Sequence, residues 1–221
     1  MDIRALGCVV LERTDPARWE HFATQVAGLG VSPALREDGV LSLKTDDYAW
    51  RLRVVNGSQD RFLCAGWELA GAQAFADAIR ELDAAGIAWR RASAQDCAAR
   101  RVEEMLSFTA PGGLDCELFR GMVLDYLPPA APAGSPRFVT GYHGNMGLGH
   151  IACATPDLAA SHRFFTQVMG CLARRISCRC ICRLTLRIQD RGCTSCTATI
   201  RATTASHSSR AQRPCRAIWC T

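Results

Sequence analysis

The chain has 221 residues, 48% of them apolar, and a formal net charge of +5. That length and apolar content suit one or two domains with a packed core. The N-terminus, MDIRALGCVV, lacks a basic segment followed by a long apolar run, and no stretch is apolar enough to span a bilayer. No signal peptide and no membrane helix are expected on this pattern, and a cytoplasmic location with no membrane partner is the default expectation.

In chain order, the apolar run from Leu6 to Leu11 predicts a largely buried strand. Asp15 with Pro16 behind it predicts a helix start. Trp19, Phe22, Ala23 and Val26 recur at three- and four-residue spacing, which predicts one apolar helical face. Gly28 stands where that helix should stop. VSPALRE, VLSLKT and AWRLRVV follow as short runs separated by acidic residues and Gly39, as in a β-meander. Residues 3–56 thus read as a strand–helix–three-strand unit.

A second unit of the same kind follows. FLCAGWEL (62–69) predicts a strand and AQAFADAIRELDAAG (72–86) an amphipathic helix ending at Gly86. IAWRRA, VEEMLSFTA and LDCELFRG then predict three strands. LPPAAPAGSP (127–136) has the composition of a linker.

Beyond it the start of the chain repeats. Residues 5–29, ALGCVVLERTDPARWEHFATQVAGL, align without a gap on residues 147–171, GLGHIACATPDLAASHRFFTQVMGC. At an offset of 142 the pairs Leu6/Leu148, Gly7/Gly149, Asp15/Asp157, Phe22/Phe164 and the triplet Thr24-Gln25-Val26/Thr166-Gln167-Val168 are identical. A third unit therefore begins near Gly144, with Asp157 starting its helix and Gly170 ending it.

Composition breaks after Ser177. Residues 1–177 carry a net charge of −2, whereas 178–221 carry eight Arg, one acidic residue (Asp190) and no Glu, a net charge of +7. Seven of the 13 Cys lie in this last segment. Three readings compete for it. The first is a zinc or redox site, since Cys193 and Cys196 form a C-x-x-C, but the other cysteines do not pair into a second knuckle. The second is a nucleic-acid-binding tail, but its Arg are scattered and no aromatic platform interleaves them. The third, adopted here, is a shifted reading frame. Arg, Cys, Thr and Ser enrichment is what GC-rich coding sequence yields out of phase. The tail is expected to have no unique fold and to bind neither structural zinc nor nucleic acid.

The paired units resemble the vicinal oxygen chelate superfamily. Within it, LG-C-VVLERTD with Trp19, DDYAWRLRV (46–54), AGWEL (65–69), FTAPGGLDCELFRG (108–121), RFVTG (137–141) and GLGHIACATPD (147–157) resemble two-domain extradiol dioxygenases of the 2,3-dihydroxybiphenyl type. Ala110 departs from the family, which usually has Asp before the proline; this position reads as structural. The resemblance implies an α+β fold of paired βαβββ modules: a complete two-module, metal-free domain over 1–126 with its two sheets side by side, a linker over 127–144, and the start of a catalytic domain over 145–177. That third unit, lacking its three strands, is expected to be sticky and poorly ordered. The tail is 178–221.

The resemblance also implies chemistry. The family holds Fe(II) with two His and one carboxylate on one face, leaving neighbouring positions for a catechol and O2. His150, in GLGHI, matches the first iron ligand. Cys8 is its repeat partner and reads as a small buried residue. Glu117 lies where metal-bearing units place a carboxylate, and without a His partner it reads as a relic. His21, His143 and His162 receive no role. The family's second His, its Glu and its second-sphere catalytic residues have no counterparts, because the tail has only His207 and no Glu. No catalytic or cofactor-binding residue is assigned, and stable Fe(II) binding by this chain is not expected. The family partners are a catechol and O2, with assembly as a homo-oligomer. The alternative is a non-enzymatic binding protein built on a metal-free chelate-type domain.

Overall fold

The apolar run of the first unit becomes β1 (Ile3–Arg13), in which every residue from Ala5 to Glu12 is buried. Unbroken burial over both side-chain directions means that both faces of this strand are covered. The structure, a computed structural model, describes residues 1–127, 148, 150–171 and 183–188, except for the side chains of Ala34, Arg36, His150 and 183–188. After β1, the Asp15 carboxylate accepts the Arg18 N–H at 2.9 Å and caps α1 (Pro16–His21). The helix then widens into a π-helical turn, Phe22–Val26, and Gly28 follows at φ +71°. β2 (Gly30–Glu37), β3 (Val40–Lys44) and β4 (Leu52–Asn56) complete the unit.

The predicted apolar face of this helix does not form one buried stripe. The wider turn changes the angular step between side chains. Ala23 and Thr24 turn inward, while Phe22 and Val26 remain 48% and 69% exposed.

The second unit comprises β5 (Arg61–Leu69), α2 (Ala72–Ala84), β6 (Trp89–Arg91), α3 (Ala94–Arg100), β7 (Glu104–Thr109) and β8 (Asp115–Arg120). α2 buries Ala74, Phe75, Ala78 and Leu82, the face its spacing predicts. α3 was not expected. Its signal is a capping box, Ser93 with Asp96, each side chain bonded to the other's backbone N–H at 3.1 Å.

The two units share one sheet rather than two. Its order is β2-β3-β4-β1-β5-β8-β7-β6, joined where β1 runs antiparallel to β5. In each unit the first strand lies parallel to the last, β1 to β4 and β5 to β8. Val9 and Leu11 face the side covered by α2, and Cys8 and Val10 face the other, where Trp50, Met105 and Phe119 pack.

The repeat reproduces the local structure down to its π-helical turn. β9 (His150–Thr155) leads to Asp157, which caps α4 (Leu158–Arg163) by accepting the Ala160 N–H at 2.8 Å. A π-helical turn follows at Phe164–Val168, and Gly170 has φ +71°, as Gly28 does. Pro156, however, precedes the cap instead of sitting in the first turn.

This third unit is not loose. It buries its apolar face on the first domain. Phe164 lies against Phe108 and Phe165 against Trp67, with ring centroids 5.7 and 5.8 Å apart, and Met169 is fully buried. The Ser161 hydroxyl donates to the Pro111 carbonyl at 2.8 Å, and Leu148 N–H donates to the Leu6 carbonyl at 2.8 Å.

A further correction concerns the tail. Residues 183–188, RLTLRI, form β10 (Arg183–Ile188), parallel to β9 as β4 is to β1. The alternation of Leu184, Leu186 and Ile188 is a strand signal, and pairing satisfies backbone groups that β9 would otherwise expose. Residues 128–147, 149, 172–182 and 189–221, and with them most of the 127–144 linker and of the tail, lie outside the described residues. Among those described, no helix is long and apolar enough to cross a membrane.

Candidate functional site

His150, the expected iron ligand, is the first residue of β9 and stands in register with Arg183 of β10. Its side chain lies outside the described residues. Its repeat partner Cys8 sits at the middle of β1, 1% exposed, on the sheet face away from α2. The surroundings of Cys8 therefore show what the first domain has built where the repeat would place a ligand.

Three strands and one helix contribute to this cup. β1 supplies Cys8, β5 supplies Cys64 and Gly66, β8 supplies Glu117 and Phe119, and the end of α3 supplies Arg100. Cys64 and Glu117 are 8% and 7% exposed. One Arg100 guanidinium nitrogen donates to Glu117 Oε1 at 2.7 Å. The other carboxylate oxygen, Oε2, is buried without a hydrogen-bond partner among the described residues. Burial, and after it the Glu117 charge, pushes both the Cys8 and the Cys64 thiols far above their ordinary range. They stay protonated at neutral pH.

A second layer holds Arg100 in place. The Trp50 indole N–H donates to the Arg100 carbonyl at 2.8 Å, and the guanidinium lies over the Trp50 ring at 5.8 Å. Arg53 donates to the Ala99 carbonyl at 2.9 Å and to Glu37 at 2.7 Å. Nearby, Arg51 is fully buried, paired with Asp46 at 2.7 Å and donating to the Gly7 carbonyl at 2.9 Å. These arginines come from AWRLRVV, where strand alternation would have turned them to solvent. Each instead donates to a carboxylate and to a backbone carbonyl, which offsets the cost of its burial, although Arg53 Nε is left buried without a partner among the described residues.

Fe(II) does not fit the cup. The carboxylate is committed to a guanidinium, and two thiols that burial keeps protonated would have to ionise first. The Phe119 ring packs against Gly7, where a side chain would collide with it, and a side chain at Gly66 would collide with the Cys8 sulfur. The cup is closed on itself by an ion pair and an aromatic ring. In the first domain Glu117 is paired with Arg100, and both Arg100 and Cys64 were missed. Only the packing of α3 over the sheet brings Arg100 to Glu117.

Other expected residues fall where the repeat placed them or outside view. His21 and His162 are exposed on α1 and α4, and His143 is outside the described residues. Ala110 is buried at the β7–β8 turn, where its N–H donates to the Leu114 carbonyl at 2.8 Å, a structural position. An open cleft of about 500 Å³ runs past Cys64 and Glu117, lined in part by Trp89, Arg90, Ser107 and Asp115. Among the described residues, no three His, Cys, Asp or Glu side chains are grouped to hold a metal ion.

Comparison with known proteins connects this arrangement to others. Residues 6–57 match the family model described as dihydroxybiphenyl dioxygenase BphC D1. The chain is 35% identical over 170 residues to an iron-dependent extradiol dioxygenase of Rhodococcus jostii (strain RHA1), covering 77% of this chain and 55% of that protein. It is 34% identical over 174 residues to a biphenyl-2,3-diol 1,2-dioxygenase of Paraburkholderia xenovorans (strain LB400), covering 77% and 56%. Among solved structures, a catechol 2,3-dioxygenase superposes with a TM-score of 0.69 at 29% identity, covering 77% of this chain and 57% of that one. The halotolerant catechol dioxygenase BphC superposes with a TM-score of 0.68 at 28% identity, covering 76% and 55%. The chain spans about half the length of the curated relatives it matches.

Proposed function

We propose, for a chain that is related to the extradiol dioxygenases over 77% of its length and shares their vicinal oxygen chelate fold, that it carries the non-catalytic first domain and the opening strand and helix of a catechol ring-cleaving enzyme. The observation that carries this reading is the repeat: one copy bears His150 where the other bears Cys8, in the same strand and before the same capped helix and π-helical turn. When bound, Fe(II) would supply the positions at which a catechol and O2 meet, and His150 would be one of its ligands. The enzyme reading includes a cytoplasmic location and assembly as a homo-oligomer.

The 221-residue polypeptide itself is proposed not to cleave catechols. A facial iron site needs two His and a carboxylate. After Cys171 the chain contains one His, His207, and no Glu. The abrupt shift to Arg- and Cys-rich sequence after Ser177 supports a reading frame displaced at about that point. Purified protein given Fe(II), O2 and 2,3-dihydroxybiphenyl or 3-methylcatechol is expected to form no yellow ring-opened product, while a version with its frame restored after Ser177 is expected to form it. Turnover by the 221-residue chain, abolished by His150→Ala, would show that its other ligands lie elsewhere. A restored protein inactive with every catechol tried would overturn the enzyme reading.

A further inference from the structure

We propose that residues 122–127 are a strap that opens and closes as a unit over the sheet face opposite α2, and that Lys44 is its latch. Lys44 is the only lysine in the chain; every other one of the 26 Lys and Arg residues is an arginine. The two cations are not interchangeable, because an ammonium offers three donors from one nitrogen and a guanidinium offers a planar fork. Lys44 is the last residue of β3. Its neighbour Leu43 joins the core on the α2 side, so strand alternation turns Lys44 to the face that bears Cys8. There it is 1% exposed.

Three oxygens of the strap converge on this one nitrogen. Lys44 Nζ donates to the Asp125 carbonyl at 2.6 Å, to the Leu127 carbonyl at 2.9 Å and to Asp125 Oδ2 at 3.3 Å. Asp125 Oδ1 accepts the Leu127 N–H at 3.0 Å and closes a turn between the two residues. The strap runs from the second unit to the first. Val123 N–H donates to the Arg101 carbonyl at 2.8 Å, Ala49 N–H to the Val123 carbonyl at 3.1 Å and Asp125 N–H to the Asp47 carbonyl at 2.6 Å. Its apolar anchorage is slight. Met122 is buried with Cys8, Cys64 and Trp50, whereas Val123, Leu124, Tyr126 and Leu127 are 44% to 73% exposed. A segment that buries so little apolar surface opens locally, well below the free energy of global unfolding. Opening strands no charge, since water reaches Nζ and its three oxygens together once they part. The ammonium is the charged tie between strap and sheet, and bonds to a charged group are stronger than those between neutral ones. Release of the strap uncovers the edge of the cluster around Cys8 and Cys64.

The test is hydrogen exchange of the 221-residue chain, with acylation of Lys44 as a second readout. Neither measures turnover, so the outcome is separate from that of the proposed function. Amides of residues 123–127 should exchange faster than those of β1 and β5, and with a weaker dependence on urea. Lys44→Met, which keeps an apolar stem and loses the ammonium, should speed exchange in the strap roughly tenfold and leave β1 and β5 as they were. Lys44 carries the only side-chain amine, so a single peptide in the mass spectrum reports its reaction with N-hydroxysuccinimidyl acetate. That reaction should be slow in the parent chain, insensitive to low urea, and several-fold faster in Asp125→Ala. Strap exchange or Lys44 acylation that tracks global unfolding would overturn the proposal. So would strap exchange that Lys44→Met leaves unchanged or raises equally with that of β1 and β5, or acylation that Asp125→Ala does not alter.

Discussion

Arg100 and Glu117 illustrate how a position that could carry a ligand becomes structural. With the pair intact, charge is balanced inside the sheet face; with one partner removed, the other is buried and uncompensated. Arg100→Met is therefore expected to destabilise the chain by about 3 kcal/mol, whereas Arg100→Met combined with Glu117→Leu should recover most of that loss. Urea midpoints of the two variants decide it; equal losses would mean the pair is not coupled. The neighbouring thiols add a pH dependence. Cys8 and Cys64 in the folded chain ionise well above the ordinary thiol value of 9.0 because they are buried. The unfolded chain releases its thiol protons first as pH rises, so the stability these groups contribute is complete below about pH 9 and declines above it. Cys8→Ala/Cys64→Ala should flatten that alkaline decline in urea midpoints measured from neutral pH upward.

At the scale of elements, the two π-helical turns are the clearest expression of the repeat. Both end at a glycine whose φ of +71° places it in the left-handed region. A side chain there meets the following carbonyl oxygen, so Gly28→Ala and Gly170→Ala are each expected to cost about 1–2 kcal/mol. The matching losses would be read from thermal melts, and a neutral Gly28→Ala would mean that the turn tolerates another backbone path. The caps were legible beforehand, because Asp15 and Asp157 stand at positions whose chemistry is local. The π-helical turns were not. TQV occurs in both copies, but no spacing rule distinguishes one widened turn from a continuing α-helix, and the apolar stripe drawn through Trp19, Phe22, Ala23 and Val26 rested on regular helical geometry.

The whole molecule is held together by contacts that cross between units. The third unit contributes Phe164, Phe165 and Met169 to the core that β1, α2 and β8 also line. Phe165→Ala removes a ring 3% exposed and should destabilise the chain by about 3–5 kcal/mol, an effect expected of a core residue but not of a loose appendage. A change below about 1 kcal/mol in urea unfolding would return the third unit to the disordered state that its missing strands had implied.

Sequence by itself determined the parts whose causes are local or repeated: the strand–helix–strand order of each unit, the helix caps, the terminating glycines, and the equivalence of His150 with Cys8. These follow from side-chain period, backbone conformational limits and internal similarity, all of which act over a few residues or can be read by alignment of the chain with itself. Only the tertiary structure decided that the two units form one sheet, that Arg51 and Arg53 are buried, that Arg100 closes on Glu117, and that Phe164 is covered while Phe22 is not. In each of these the deciding partner lies far along the chain. A period predicts which way a side chain points, but a distant element determines whether it meets a carboxylate, a ring or water there.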